Sequence, residues 1–184
     1  PYAPESVKSF EAGFKSDFFD RRVRLNVTGF YQKFNDIQLQ LGQCPAISGP
    51  GAPCALTANA GKARIQGAEA ELDLRPVDGF SINASASIVD FKFTETSVDS
   101  GVLLTDKAPF ISKYKLSLGA QYEFALSSGT LTPRLDLDYR SSFSVGAPAN
   151  ARQFNVTNGR TLANARISYQ PDGDDWEISV AATN

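Results

Sequence analysis

Alternation with a period of two runs through most of this chain and separates charge from apolar surface almost completely. Across residues 114–124, Tyr114, Leu116, Leu118, Ala120, Tyr122 and Phe124 share one phase, while Lys115, Ser117, Gly119, Gln121 and Glu123 share the other. Successive side chains of a strand point to opposite faces, so this pattern predicts a strand with two unlike faces. Eight stretches read this way: residues 6–17, 22–34, 64–75, 80–93, 112–126, 131–142, 161–170 and 176–184. No stretch sustains a helical period. Each segment runs roughly 9–15 residues. Strands of water-soluble proteins usually run about 5–6 residues, whereas tilted membrane-crossing strands need about 9–11.

The connections between these segments alternate in length. Short ones lie at residues 17–21, 76–79, 127–130 and 171–175, and include the turn sequences Pro76-Val77-Asp78-Gly79 and Pro171-Asp172-Gly173-Asp174-Asp175. Long ones span roughly residues 35–63, 94–111 and 143–160. Long connections are uncommon in compact domains and usually carry function. Short turns on one rim and long loops on the other match an outer-membrane β-barrel.

The apolar phase collects Phe10, Ala12 and Phe14; Val23, Leu25, Val27, Gly29 and Tyr31; Ala68, Ala70, Leu72 and Leu74; and Phe80, Ile82, Ala84, Ala86 and Ile88. Later strands add Leu135, Leu137 and Tyr139, then Ala163, Ala165, Ile167 and Tyr169, then Trp176, Ile178, Val180 and Ala182. The opposite phase carries Glu11, Lys15, Arg24, Glu69, Glu71, Asp73, Lys115, Glu123, Arg134, Asp136, Asp138, Arg140, Arg166 and Glu177. A soluble barrel would turn the apolar phase inward, and a membrane barrel would turn it outward to lipid. The small residues Ala84, Ala86, Ala163, Ala165 and Gly29 would underfill a soluble core, which favours the second arrangement. Aromatic residues also cluster at both strand ends, with Phe18, Phe19, Phe80, Tyr122, Phe124, Tyr169 and Trp176 near the short turns. Tyr31, Phe34, Tyr114, Tyr139 and Phe143 sit near the long loops, and two such girdles suit two membrane interfaces.

Composition narrows the chemistry. The 184 residues carry a formal charge of −2, which gives no electrostatic reason to expect nucleic acid. Histidine is absent, removing serine–histidine and cysteine–histidine catalysis and the commonest metal ligand. Methionine is also absent, so the chain is expected to be a processed or excised piece. No run of about 18 apolar residues exists to form a membrane-crossing helix. Cys44 and Cys54 flank a spacer rich in proline and glycine that could fold back and join them as a disulfide. Two unrelated free thiols are the alternative, and zinc would need two further ligands that this segment lacks. A disulfide fits an oxidising compartment.

Several stretches resemble a known family. Pro4-Glu5-Ser6-Val7-Lys8-Ser9-Phe10-Glu11-Ala12-Gly13-Phe14-Lys15 is similar to a strand of TonB-dependent outer-membrane receptors, in which "PE…E-x-G-x-K" recurs. Arg24-Leu25-Asn26-Val27-Thr28-Gly29-Phe30-Tyr31 resembles that family's next strand, and Asp36-Ile37-Gln38 fits its continuation. Asn59-Ala60-Gly61-Lys62-Ala63-Arg64-Ile65-Gln66-Gly67-Ala68-Glu69 is similar to its "N-x-G-x-A-x-x-x-G-x-E" opening. Ala108-Pro109 fits too, as does Trp176-Glu177-Ile178-Ser179-Val180 leading to Asn184. No single motif is specific, but their order and the loop sizes are.

The resemblance implies an all-β, antiparallel, up-and-down transmembrane β-barrel segment: about eight strands of a 22-stranded barrel. Residues 1–184 would form a partial barrel domain, with the plug domain and the terminal strand outside it. The implied setting is the bacterial outer membrane. The implied partners are outer-membrane lipid, the receptor's own plug and the TonB complex, and a scarce bulky small-molecule ligand such as a ferric siderophore. Cobalamin or an oligosaccharide are alternative cargoes.

Few residues suggest chemistry of their own. Glu69, Glu71 and Asp73, and likewise Asp136 and Asp138, are neighbours along one strand face rather than carboxylates facing across a substrate, so they read as lumen solvation paired with arginines. No calcium-loop spacing occurs, and no catalytic residue, metal ligand set or cofactor is expected. The third long loop contains Arg152, Gln153, Phe154, Asn155, Asn158 and Arg160, whose amides, guanidinium groups and ring could bind a ligand or simply be solvated. The first loop carries no charge across residues 39–61. Three rivals remain: a complete small eight-stranded barrel with a structural or adhesive role, a soluble ligand-binding barrel, and an outer-membrane hydrolase, which the lack of histidine disfavours.

Overall fold

A computed structural model describes residues 2–50, 52–146, 156–173 and 175–184. The strands are β1 (Ser6–Phe18), β2 (Val23–Asn35), β3 (Gln38–Gln43), β4 (Pro53–Asn59), β5 (Gly61–Leu74), β6 (Phe80–Thr96) and β7 (Tyr114–Tyr122). They continue with β8 (Phe124–Leu126), β9 (Gly129–Arg140), β10 (Phe143–Ser144), β11 (Val156–Thr157), β12 (Arg160–Pro171) and β13 (Ile178–Ala182). One long sheet runs β1-β2-β5-β6-β7-β9-β12-β13, with β8 also paired to β9. Every neighbouring pair is antiparallel, so the sheet is a meander in chain order. The sheet does not close on itself, and β1 and β13 are its edges. No helix among the described residues is long and apolar enough to cross a membrane, which says nothing of crossing by strands.

The expected fifth strand is split into β7 and β8 at Glu123. The break in pairing, at Tyr122 and Glu123, lies opposite Pro133 and Thr132 of β9, and Pro133 has no N–H to offer a ladder. The Glu123 N–H instead donates to the Gly79 carbonyl at 2.8 Å, tying this wall to the neighbouring turn.

The first long connection is not irregular. β3 and β4 form a hairpin within it, and Cys44 and Cys54 are joined near its tip with Cα atoms 5.9 Å apart. Beneath this hairpin lies the buried apolar cluster: Ile37, Leu41, Cys44, Ala60, Ala63, Phe93 and Val102, with Phe34, Leu39, Cys54, Ala58 and Phe91 packed against it. The Phe91 and Phe93 rings meet edge to face at 4.8 Å.

The core therefore sits at the long-loop end, and not along the apolar phase of the strands. Along that phase Phe10, Phe14, Leu116, Leu135, Ile167 and Val180 are exposed. A surface of this extent, unbroken by charge, is the mark of a face that meets another apolar phase.

Candidate functional site

Register shows where the lining of the sheet changes character. From the short-turn rim upward, one face stacks the rows Phe18–Val23–Leu74–Ile82, Ser16–Leu25–Leu72–Ala84, Phe14–Val27–Ala70–Ala86 and Ala12–Gly29–Ala68–Ile88. The next row on that face is Phe10–Tyr31–Gln66–Asp90, and the one after it is Lys8–Lys33–Arg64–Lys92. On the opposite face the order reverses. Glu69, Glu71 and Asp73 give way to Gly67, Ile65 and Ala63, next to Phe30, Phe34, Phe91 and Phe93. The strands keep their period while the solvent on each side is exchanged. The apolar phase read from sequence ends at Tyr31, Ala68 and Ile88, and the residues just beyond them carry the signal of the inversion.

The inversion also sorts the aromatic residues. Tyr31, Tyr114 and Tyr139 stay on the apolar face and are partly exposed. At the short-turn rim Phe80, Tyr122 and Phe124 stack in series, with centroids 6.1 and 4.5 Å apart. The Tyr169 hydroxyl donates to the Ser128 carbonyl at 2.7 Å. Phe34 and Phe143 leave the expected upper girdle. Phe34 falls on the opposite phase of β2 from Tyr31 and packs into the buried cluster, and Phe143 carries the Arg140 guanidinium over its ring at 4.5 Å.

The charged face is concave, because the cavities of the sheet lie against it. Arg134 spans this wall: Nε donates to Asp136 at 2.9 Å, Nη1 to Gln121 at 3.0 Å and Nη2 to Asn83 at 3.2 Å. Gly119 makes the space, since a Cβ there would meet Arg134 Nη2, Asn83 Oδ1 at 2.7 Å and Asp136 Oδ1 at 2.8 Å. Asn26 donates to Glu71 at 3.1 Å, Ser117 to Asp138 at 2.6 Å, and Arg166 pairs with Glu177. Glu69, Glu71, Asp73, Asp136 and Asp138 are thus spread along a wall, with Glu71, Asp136 and Asp138 bonded to its polar neighbours.

A cavity of about 730 Å³ lies on this face near the long loops. Lys115, Arg140 and Arg160 form one cross-strand row on its wall, because Lys115 pairs with Arg140 and Arg140 with Arg160. Among the described residues none of the three forms an ion pair, and Arg140 Nε is buried without a hydrogen-bond partner. Glu69, Glu71 and Asp138 line the same cavity.

Two rings complete it. Phe110 and Phe143 lie with centroids 6.5 Å apart, and Phe110 is anchored by its N–H donating to the Ser144 carbonyl at 2.7 Å. Phe110 holds a φ of 63°, a costly backbone state for a bulky residue and one that tends to persist at binding sites.

Of the loop residues expected from sequence, Arg160 lines the cavity and Asn158 is exposed and does not. Arg152, Gln153, Phe154 and Asn155 lie outside the described residues. Phase alone puts Lys115 and Arg140 on the charged face, but it does not show them meeting Arg160, since that row depends on register. Phe110 carries no periodic signal at all.

A long antiparallel meander, apolar on one face and charged on the other, with short turns at one rim, has the pattern of an outer-membrane β-barrel wall. Family comparison agrees: the model for the TonB dependent receptor-like β-barrel matches residues 1–184, and the chain belongs to that family. The family is one of outer-membrane receptors and transporters.

Solved structures share the fold. The ferric yersiniabactin uptake receptor FyuA from Yersinia pestis superposes with a TM-score of 0.76 at 21% identity, covering 100% of this chain and 25% of that one. The siderophore receptor PiuA from Acinetobacter baumannii gives 0.71 at 20% identity, covering 98% and 24%. The copper transporter OprC gives 0.69 at 15% identity, covering 100% and 26%. The chain spans about a quarter of the length of these structures.

Proposed function

We propose that this chain is part of the barrel wall of an energy-coupled outer-membrane receptor, and that the cavity under its long loops contacts an anionic, ring-bearing metal chelate of the ferric siderophore class. The observation that carries the reading is the row Lys115–Arg140–Arg160 beside Phe110 and Phe143. Glu69, Glu71 and Asp138 line the same cavity, but the cations are gathered in one row with no ion pair among the described residues. That stretch of wall favours an anionic group of the guest, and the two rings offer faces on which planar ligand groups can stack.

The rest of the barrel, the plug and the TonB-contacting segment belong to the longer protein of this proposal. There the plug would close the concave side and couple release to the inner membrane. The part of this wall in the proposal is binding and passage. The Cys44–Cys54 bridge belongs to the same reading, as a staple on the hairpin that roofs the loop end.

The relative OprC, a copper transporter by its description, suggests a bare metal ion as a second cargo. The row of Lys115, Arg140 and Arg160 disfavours that guest on its stretch of the wall, while Glu69, Glu71 and Asp138 line the rest of the cavity. The test uses the full-length receptor with the triple variant Lys115→Gln, Arg140→Gln and Arg160→Gln. The expected result is a loss of affinity for an anionic ferric catecholate of roughly tenfold or more, with no loss for cyanocobalamin. Equal affinity of wild type and variant for the ferric complex would overturn the assignment of this cavity.

A further inference from the structure

The cavity under the long loops is ordered by charge along one cross-strand row. Register places Glu69 of β5 beside Ser87 of β6, Ser87 beside Lys115 of β7, Lys115 beside Arg140 of β9, and Arg140 beside Arg160 of β12. All five residues line the cavity. Neighbouring strands lie about 4.8 Å apart, so Glu69 and Lys115 stand about 10 Å apart and the whole row spans about 19 Å. The Debye length at physiological salt is about 8 Å, so opposite charges that far apart on a wet wall scarcely neutralise one another. Among the described residues the Glu69 carboxylate forms no ion pair, and neither do the three cations.

The acidic end is wider than one residue. Glu71 follows on the same face of β5 and accepts a hydrogen bond from Asn26 at 3.1 Å. Glu69 and Glu71 also line a second cavity of about 430 Å³ on the β1 side. Lys15 lines that cavity too, but it stands two strands from Glu71 in the row Lys15–Asn26–Glu71 and does not pair with it. The two carboxylates are therefore shared by adjoining cavities, with Ser85 and Ser87 beside them. Two like charges on one strand face favour a cation placed between them. A metal ion suits the place poorly, since no group of three acidic, cysteine or histidine side chains among the described residues could hold one. A protonated amine or guanidinium needs only acceptors, which two carboxylates and the serine hydroxyls supply.

We propose that the guest of this cavity is dipolar: its anionic chelate lies against Lys115, Arg140 and Arg160, and an arm ending in an ammonium or guanidinium group lies against Glu69 and Glu71. This rests on the function proposed above, with an anionic metal chelate as guest, and adds the cationic arm. The row sets the reach of that arm at about 10 Å from the Lys115 edge of the chelate. A wholly anionic guest long enough to fill the cavity meets Glu69 and Glu71 as like charges, so the acids select against it.

The test uses the full-length receptor and two synthetic probes, with isothermal titration as the readout. One probe is a ferric tris(catecholate) carrying a primary amine on an alkyl arm, and the other is the same complex with that amine acetylated. Acetylation removes the positive charge and leaves the chelate unchanged, so the acetylated probe is the more anionic of the two. Wild type should bind the amine probe roughly tenfold more tightly than the acetylated one. The variant E69Q/E71Q should bind the two probes alike. The variant K115Q/R140Q/R160Q should lose affinity for both and keep its preference for the amine.

Equal binding of the two probes by wild type, or tighter binding of the acetylated one, would overturn the dipolar guest and leave the cationic row standing. A preference for the amine that survives in E69Q/E71Q would overturn the assignment to these carboxylates. Each preference is a ratio within one protein, so a smaller folded fraction does not imitate its loss. Undiminished binding of both probes by K115Q/R140Q/R160Q would instead defeat the function on which this proposal rests.

Discussion

The two ends of β2, β5 and β6 are built from the same chain with the same period, yet they solve opposite problems. Towards the short turns, Val27, Ala70 and Ala86 face out and Asn26, Glu71 and Ser85 face in. Towards the long loops, Lys33, Arg64 and Lys92 face out while Phe34, Ala63 and Phe93 face in and are wholly or partly buried. The upper part is an ordinary water-soluble arrangement, with an apolar interior under a disulfide-bearing hairpin. The lower part is its inverse. A hydrophobic face therefore has no intrinsic inside, and what fixes it is which side is wet.

This contrast can be broken first in the upper part. Phe93 is only 4% exposed, so Phe93→Ala should cost about 3–5 kcal/mol locally through lost transfer energy and the cavity left behind. Hydrogen exchange on the full-length receptor should show the β3–β4 hairpin opening while β9 and β12 keep their protection. Uniform loosening of both would mean the two regions are not separate.

The lower part should respond to charge according to height. Ala70→Arg places a cation in the middle of the outward band and should destabilise folding into vesicles by about 2–4 kcal/mol, against about 0–1 kcal/mol for Gln66→Arg at the inversion. Denaturant titration in lipid vesicles measures both, and equal costs would remove the boundary. The Cys44–Cys54 bridge gives a further test of the upper part. Its short loop predicts a loss of about 2–3 kcal/mol on reduction, confined to the hairpin. Non-reducing mass mapping should show the linked peptides first, and two alkylatable thiols there would count against the bridge.

Much of this is legible without coordinates. The eight alternating segments correspond to β1, β2, β5, β6, β7 with β8, β9, β12 and β13, because a period of two reports side-chain direction directly. The β3–β4 hairpin is not legible: Gln38-Leu39-Gln40-Leu41 alternates only briefly before the prolines and glycines of residues 42–53, and the packing of Phe93 and Ile37 beneath it is not a local property. The cavity follows the same division. Lys115 and Arg140 are assignable to the charged face from phase alone, but joining them to Arg160 requires knowing that β7, β9 and β12 are consecutive and in what register. Phe110 sits on a loop and is tied to the sheet end by its N–H donating to the Ser144 carbonyl, for which sequence offers no period.

The central claim is that the apolar phase faces lipid below the inversion and that the charged phase faces water. Single cysteines at Ala70, Glu71 and Lys92, labelled with a fluorophore in the full-length receptor reconstituted into vesicles, test it most directly. A quencher carried on lipid acyl chains should quench the label at Ala70 strongly and those at Glu71 and Lys92 weakly, and an aqueous quencher should give the reverse order. Strong lipid quenching at Glu71, or a label at Ala70 shielded from both quenchers as in a packed soluble core, would contradict the account.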